Sequence, residues 1–244
     1  HTGHTASFSW MKLTPTLGYS LERLLDTATQ YDLTVLSSNR RGVWKTWDSI
    51  RNRAKFPAGV ATDHEDHSRI YIPSVVSHTL PILFKREFFS VPLKRDGVKV
   101  FPLPFSCGLV DLLEPGNALA PERKGVFLSC TDTHPARAVA KQQIQSLGNS
   151  TPNTFGPAYA SGLQNAAIGV AVRGHGVDTL RQWEIPFHGA ALLTDSNIVT
   201  PDNFIHETDC IRYTEHEQLS SIVCRLLGDP EWLKKIALAG QKKL

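Results

Sequence analysis

The stretch from Val170 to Asp195 constrains the fold of this 244-residue chain more than any other part of the sequence. Its beginning overlaps a short run of β-branched and small apolar residues, Ile168–Val172, which is typical of a buried parallel strand. Gly174 and Gly176 then permit a tight turn, and a second apolar run begins at Ala190 after an amphipathic segment. This order of strand, turn, helix and strand predicts a βαβ unit in a parallel α/β sheet.

The helix of this unit is expected to begin at Asp178 or Thr179, because both side chains can cap free backbone N–H groups, and to end near Gly189. A turn that leads into a helix N-terminus is a ready anion site. Arg173 and Arg181 flank the turn with guanidinium groups that suit phosphate oxygens. The alternative is an ordinary βαβ unit with two surface arginines, and the spacing alone does not separate the two interpretations.

Composition places the chain among ordinary soluble globular proteins. With 41% hydrophobic and 20% charged residues, it is long enough and apolar enough to bury a core. The net charge of +3 permits an anionic ligand but does not favour nucleic acid over a nucleotide. No apolar run approaches the roughly 18 residues of a membrane helix, and no signal peptide is visible, so we expect no membrane span.

The four cysteines bear on the redox environment. They form no CxxC pair, so a zinc knuckle is not expected. Cys130 and Cys224 stand in apolar contexts, which predicts buried thiols. We therefore predict a reducing, cytoplasmic location, although four cysteines can also form two disulfides.

Residues 106–124 contain two prolines and two glycines with weak periodicity, which predicts a linker between two lobes. We expect a short N-terminal lobe over residues 1–115 and a C-terminal lobe over residues 116–244. The predicted strands are 32–37, 58–62, one within 70–83, 98–105, 125–130, 168–172, 190–193 and 210–213. The predicted helices are 18–30, 44–53, 135–147, 159–166, 178–189, 216–227 and a last one from residue 230.

Two charged segments of the first lobe are candidates for chemistry. The run Asp63–His67 (DHEDH) follows a predicted strand and has three interpretations: a solvated acidic loop, a loop that supplies a catalytic or acceptor-binding group, or a metal site. With His78 it is also the centre of a rival hypothesis, a metal-dependent hydrolase. Lys85 and Arg86 either form an exposed ion-pair turn with Glu87 or clamp a phosphate or carboxylate.

The second lobe brings two predicted loops to one sheet edge. The loop Thr131–Arg137 follows the first strand of this lobe, and ligands of open α/β sheets lie outside the carboxyl ends of the strands. We therefore expect this loop and the Gly174–Asp178 turn to face the same cleft. Glu184 can accept hydrogen bonds from ribose hydroxyls, or can form a salt bridge with Arg181, three residues earlier.

Several segments of the chain together resemble those of a known enzyme family. The sequence lacks GxSxG, P-loop and GxGxxG motifs, which argues against serine hydrolases, P-loop enzymes and nicotinamide dehydrogenases. Residues 173–195 (RGHGVDTLRQWEIPFHGAALLTD) resemble the donor-site segment of glycosyltransferases with a GT-B fold, in the branch related to spore-maturation-type (CgeB-like) proteins. Residues 201–240, DHEDH, LFKREF and VFPLPF agree with that family in order and spacing, so the resemblance covers about residues 58–244.

The resemblance implies two Rossmann-like lobes that face a cleft, with a nucleotide-diphosphate sugar, most often a UDP-sugar, held mainly by the C-terminal lobe. It implies hexosyl transfer without a metal or other cofactor, with retention at the sugar, to an unidentified acceptor: a glycan, small molecule, protein or nucleic acid. The candidate catalytic residues are Asp63, Glu65, Asp66 and His175. The candidate donor-binding residues are Arg173, Gly174, Gly176, Asp178, Thr179, Arg181, Glu184, Lys85, Arg86 and, from its place at the strand end, Thr131.

The sequence departs from the commoner glycosyltransferase pattern in two ways. That pattern has two glutamates eight residues apart, and Gly176 stands eight residues before Glu184. The first lobe is also short, which keeps open a non-catalytic module that binds a nucleotide or sugar. The basic segment 44–53 is either a solvated face or a surface for an anionic acceptor.

Overall fold

The computed structural model describes residues 33–38, 58–63, 82–85, 99–102, 115–149, 151–174, 176, 178–198 and 204–244. These residues form an α/β fold with two four-stranded sheets. The chain divides into two compact units, one built on its N-terminal strands and one that includes Phe101–Leu244. The boundary between residues 115 and 116 stays a prediction, and the predicted helices over 18–30 and 44–53 lie outside the described residues.

The first sheet has the strand order β1-β2-β3-β4. Its strands are β1 (Leu33–Ser38), β2 (Ala58–Asp63), β3 (Ile82–Lys85) and β4 (Lys99–Pro102). β1 and β2 run parallel, with Leu33 opposite Ala58 and Ser38 opposite Asp63. β1 and β2 agree with predicted strands to within one residue, and β4 lies within the predicted strand 98–105. β3 begins in the predicted segment 70–83 and continues two residues beyond it, to Lys85.

The second sheet is wholly parallel and has the order β5-β6-β7-β8. Its strands are β5 (Val126–Phe127), β6 (Ile168–Ala171), β7 (Ala191–Asp195) and β8 (Ile211–Tyr213). Ile168 lies opposite both Val126 and Ala191. Every residue of β6 and β7 is buried, which explains why β6 and the first three residues of β7 are continuous apolar runs rather than alternating ones.

The helices around this sheet are α1 (Pro135–Gln145), α2 (Gly156–Asn165), α3 (Arg181–Phe187), α4 (Leu219–Leu227, after a 3₁₀ turn at His216–Gln218) and α5 (Pro230–Lys242). Two predicted helix starts are confirmed, because Pro135 opens α1, and Asp229 caps α5 by accepting from the Trp232 N–H at 3.0 Å. The end of α3 near Gly189 is also confirmed.

A core lies on each face of the second sheet, because successive strand residues point to opposite sides. Ile168 and Val170 belong to the larger core, with residues of α1, α4 and α5. Ala171 belongs to the other core, with residues of α2 and α3. Glycine is needed at Gly169, since a Cβ there would lie 2.6 Å from the Ile185 side chain. α3 therefore packs directly on the β6 backbone.

Two local predictions are wrong. α3 begins at Arg181, and its N-cap residue is Leu180, so neither Asp178 nor Thr179 caps it. The Thr179 carbonyl instead accepts from the Gln182 N–H at 3.1 Å, which turns the chain before the helix starts. Cys224 is exposed rather than buried, because it lies outside the α4 stripe that faces the core, Leu219, Val223 and Leu226.

The chain between α1 and α2 brings α2 to the carboxyl end of the sheet. A Cβ on Gly125, just before β5, would lie 3.3 Å from Asn149 Oδ1. Thr154, five residues after Asn149, lies just beyond the other end of β5, where its N–H donates to the Ser129 hydroxyl at 3.1 Å. The chain thus returns to the carboxyl edge, where α2 begins at Gly156.

The predicted linker is tied to the second unit over its described part, residues 115–124. The Gly116 N–H donates to the Phe187 carbonyl at 3.0 Å, and Arg123 donates to the carbonyls of Leu163 and Ala166 at 2.9 and 3.0 Å. Among the helices in the described ranges, none is long and apolar enough to span a bilayer.

Candidate functional site

The carboxyl edge of the second sheet gathers most of the described residues that the sequence marks as candidates. The Thr131–Arg137 loop follows β5, and the turn that contains Gly174 and Gly176 follows β6. α1, α2 and α3 all begin at this edge. In parallel α/β sheets this is the edge where ligands bind.

Arg137 joins the two loops. Its Nη1 donates to the Thr131 carbonyl at 3.0 Å and to the Thr133 hydroxyl at 2.7 Å, while Nε donates to the Arg173 carbonyl at 3.0 Å. A Cβ on Gly174 would lie 2.8 Å from Arg137 Nη2, so this turn needs glycine for close approach. A buried arginine that binds protein atoms therefore holds the two loops together, and that they face one cleft stays a prediction.

Glu184 is held by Tyr159. On the first turn of α3, its Oε2 accepts from the Tyr159 hydroxyl of α2 at 2.9 Å. Burial, and then the neighbouring Glu184 charge, raise the pKa of Tyr159 well above its usual value, so the hydroxyl keeps its proton. The Tyr159 ring packs edge-on against Phe127, with centroids 5.8 Å apart. The Glu184 carboxylate is thus fixed at the sheet edge.

Arg181 uses only part of its guanidinium on the protein. Its Nε donates to the Ser129 carbonyl at 2.7 Å. Within the described ranges, its two terminal nitrogens have no hydrogen-bond partner, so they remain as donors at the sheet edge. Cys130, beside Ser129, is fully buried, and burial raises the pKa of its thiol. The thiol is therefore neutral and is not a nucleophile of this site.

His134 is the N-cap residue of α1. Its Nδ1 accepts from the Ala136 N–H at 3.2 Å, and its Nε2 lies 2.9 Å from Arg173 Nη2. Burial, followed by the Arg173 charge, lowers the pKa of His134. Sequence analysis did not single out His134, although Pro135 at the first helical position marks the preceding residue as the cap.

Asp195 and His216 form a second pair at the ends of β7 and β8. Asp195 is fully buried, its Oδ1 accepts from the Asn197 N–H at 2.8 Å, and its Oδ2 lies 3.0 Å from His216 Nε2. The His216 ring stands edge-on to Tyr213. Sequence analysis missed this pair, because two residues 21 positions apart show their pairing only once the strands are adjacent.

The other candidates are placed as follows. Asp178 and Thr179 are buried beside the start of α3, Gly176 lies in a bend, and the Thr131 side chain is exposed. Lys85 is fully buried at the end of β3. Asp63 is the last residue of β2, but its side chain, like Glu65, Asp66, Arg86 and His175, lies outside the described part. Among the described residues, no group of three or more His, Cys, Asp and Glu side chains is arranged to hold a metal ion.

Comparisons with known proteins agree at the level of the fold. No family model and no curated protein matches the sequence. Sucrose-phosphate synthase from Thermosynechococcus elongatus superposes with a TM-score of 0.61 at 12% identity, over 91% of this chain and 71% of that one. Anabaena HepE in complex with UDP-glucose superposes with a TM-score of 0.59 at 12% identity, over 91% and 76%.

HepE in complex with UDP and glucose gives a similar result, with a TM-score of 0.60 at 13% identity, over 91% of this chain and 75% of that one. At such identities the likeness shows the fold alone. The predicted α/β class with parallel sheets is confirmed, and the fold is similar to that of these GT-B-like glycosyltransferases.

Proposed function

We propose that this protein is a glycosyltransferase that moves a sugar, a hexose in the first instance, from a nucleotide-diphosphate sugar to an acceptor still to be identified. One observation carries the proposal. A carboxylate fixed by a tyrosine, Glu184, and an arginine with unused donors, Arg181, lie one turn apart on a helix that begins at the carboxyl edge of the sheet.

The chemistry of these two side chains suits the two polar parts of a nucleoside diphosphate. An ionised carboxylate only accepts hydrogen bonds, so Glu184 matches the vicinal hydroxyls of a ribose. A guanidinium only donates, and its fork fits phosphate oxygens, so Arg181 matches the diphosphate. HepE has been solved with UDP and with UDP-glucose, which makes UDP the first nucleotide to test.

The proposed reaction needs no metal. Preorganised donors, Arg181 and Arg173 among them, would stabilise the charge that develops on the leaving diphosphate, and this is the largest catalytic effect that we invoke. We keep retention at the sugar as the working stereochemistry, with His175 near the sugar. If the reaction inverts, a carboxylate of Asp63, Glu65 or Asp66 would act as the base.

The roles that we propose for the two parts of the chain follow the sequence prediction. Residues 116–244 would bind the donor, and residues 1–115 the acceptor, with Arg86 on the donor phosphates. Lys85 is fully buried, so it would join Arg86 there only if the end of β3 opens. We assign the protein to the CgeB-like branch on its sequence motifs. A reducing cytoplasmic location fits the free thiols of Cys130, Cys210 and Cys224.

The first test is a thermal-shift screen with UDP, GDP, ADP, TDP and CDP in the absence of metal. A ligand that binds only the folded state raises the melting temperature. We expect one nucleoside diphosphate to raise Tm by several degrees, and the shift to disappear in Glu184→Ala, because the ribose loses its acceptor.

Glu231→Ala is the matched control. Like Glu184, Glu231 lies in the first turn of a helix, here α5, but it pairs with Lys234 on the surface. It should keep the full shift. If no diphosphate raises Tm, the proposal is wrong. An equal loss of the shift in both variants would remove Glu184 from the binding site.

A further inference from the structure

Both ring nitrogens of His134 face hydrogen-bond donors. Nδ1 lies 3.2 Å from the backbone nitrogen of Ala136, and Nε2 lies 2.9 Å from Nη2 and 3.3 Å from Nε of Arg173. A backbone amide N–H and a guanidinium group donate and cannot accept. If both nitrogens of the ring accepted, the side chain would be an imidazolate, which does not form in the physiological pH range.

One N–H of His134 is therefore left without an acceptor among the described residues. The lowered pKa makes the ring neutral at pH 7, and a neutral imidazole carries a single N–H. We assign this N–H to Nε2, because Nδ1 then keeps the capping hydrogen bond of α1. This N–H and the N–H groups of Arg173 face one another, and an oxygen atom placed between them would accept hydrogen bonds from both.

The protein does not supply that oxygen in its described part. There, Arg173 has no hydrogen-bond partner for its guanidinium other than His134. Asp195 is close enough for its charge to raise the pKa of His134 against the larger lowering effects. Its two oxygens are already engaged, however, by Asn197 and by His216. His134 and Arg173 are only partly buried, so the acceptor comes from solvent until a ligand with an acceptor oxygen displaces the water.

We infer that His134 Nε2 and the Arg173 guanidinium together bind a phosphate oxygen of the nucleoside diphosphate. This rests on the proposed function and adds to it a binding residue, His134, on α1. The phosphate oxygen separates the two donor groups and accepts from both. The N-terminal end of the 11-residue α1 lies at the same place, and the dipole of the helix gives it a positive potential.

The test uses His134→Asn. Asparagine caps a helix as well as any residue, so α1 keeps its cap, but its side chain is too short to reach the position of Nε2. The probes are the nucleoside diphosphate found in the thermal-shift screen and the corresponding nucleoside, each measured by calorimetry or competition. We expect binding of the diphosphate to weaken about tenfold and binding of the nucleoside to stay within about twofold.

Inorganic pyrophosphate provides a second measurement, because it carries the phosphate oxygens without the base or the ribose. It should compete with the diphosphate in the wild-type protein, and about tenfold less well in His134→Asn. Asp229→Asn, which changes the cap of α5 away from this edge, is the control and should bind both probes as the wild type does.

The outcomes separate the two proposals. If the wild type binds the diphosphate, and His134→Asn binds it equally well or loses the nucleoside to the same extent, the inference about His134 is overturned while the proposed function stands. If the wild type binds no nucleoside diphosphate, both fall. Arg173→Gln should weaken the diphosphate as well, and the double variant should lose less than the sum of the two single losses, because both side chains bind one oxygen.

Discussion

Two arginines at opposite ends of the second sheet are used in opposite ways. At the amino edge, Arg123 donates to the carbonyls of Asn117, Leu163, Ala166 and His188. The last three carbonyls belong to the ends of α2 and α3, where helices leave acceptors unpaired and carry negative potential. At the carboxyl edge, Arg181 makes a single protein hydrogen bond within the described residues and stands at the positive end of α3.

The two arginines differ in how much of their hydrogen-bonding capacity the protein uses. Arg123 is structural, whereas Arg181 keeps donors for a ligand. Arg123 is placed where the fold needs donors, so its charge and its hydrogen bonds are both complementary to their surroundings. Arg181 is placed where the helix already presents donors, so its charge opposes the local potential. An arrangement that is unfavourable without a ligand and favourable with an anion is expected at a binding site.

The cavity at the amino edge fits this contrast. It has a volume of about 370 Å³ and lies between the start of the strands and α5. Its lining is mainly small and apolar, and its arginine, Arg123, is already bound to backbone carbonyls. The carboxyl edge, by comparison, presents Arg181 and Glu184 beside each other. This cavity and the proposed site therefore lie at opposite ends of the sheet.

Arg123→Met should have the largest effect on stability. The substitution keeps much of the aliphatic length but removes every donor, so four carbonyls lose a hydrogen bond, of which the Asn117 carbonyl keeps the Ala120 N–H as a donor. We expect the free energy of unfolding to fall by about 3 kcal/mol, since several partly buried acceptors are left unsatisfied. Denaturant unfolding measures this loss.

Arg225→Met is the control for this prediction, because Arg225 is exposed in the last turn of α4. Its loss should change the free energy of unfolding by less than about 0.5 kcal/mol. Similar losses in the two variants would show that Arg123 contributes no more than an ordinary surface arginine.

The fold was predictable wherever one local signal dominates. β6 and the first three residues of β7 are apolar because both faces of the sheet are buried, and Asp229-Pro230 starts α5 as the sequence indicates. The start of α3 was not predictable in this way. Asp178 and Thr179 have the side chains of N-caps, but tertiary packing buries them, and the helix starts after them.

The sequence predicted which residues belong to the candidate site better than it predicted which of them contact one another. Glu184 and Arg181 follow from the motif around them. Tyr159 lies 25 residues before Glu184, and His134 lies 39 residues before Arg173. These partners meet only because β5, β6 and the helices between them bring distant segments to one edge. Local patterns cannot show which segments will be adjacent.

Arg181→Gln tests the carboxyl-edge half of the comparison. Glutamine can keep one hydrogen bond to Ser129 but carries no charge, so affinity for the nucleoside diphosphate should fall by about tenfold or more. Stability should change by less than about 1 kcal/mol, because the charge that is removed lies at the positive end of α3. Calorimetric titration gives the first quantity, and denaturant unfolding the second.

Arg225→Gln should change neither quantity. A large loss of stability in Arg181→Gln with unchanged affinity would reverse the comparison. Arg181 would then be the structural arginine of its edge, in the same way as Arg123.

Tyr159→Phe should produce the smallest effect and tests whether Glu184 must be held in place. Phenylalanine keeps the edge-on contact with Phe127 and loses only the hydroxyl, so the cost to stability should be about 1 kcal/mol. Without the hydroxyl, the Glu184 carboxylate can rotate, and part of the binding energy is spent on ordering it. We expect affinity for the diphosphate to fall about threefold, less than in Glu184→Ala, and Tyr159→Phe should add little when it is combined with Glu184→Ala. If the affinity losses of Tyr159→Phe and Glu184→Ala add up in the double variant, Tyr159 contacts the ligand by itself. A residue that acts only through Glu184 has no effect once that carboxylate is gone.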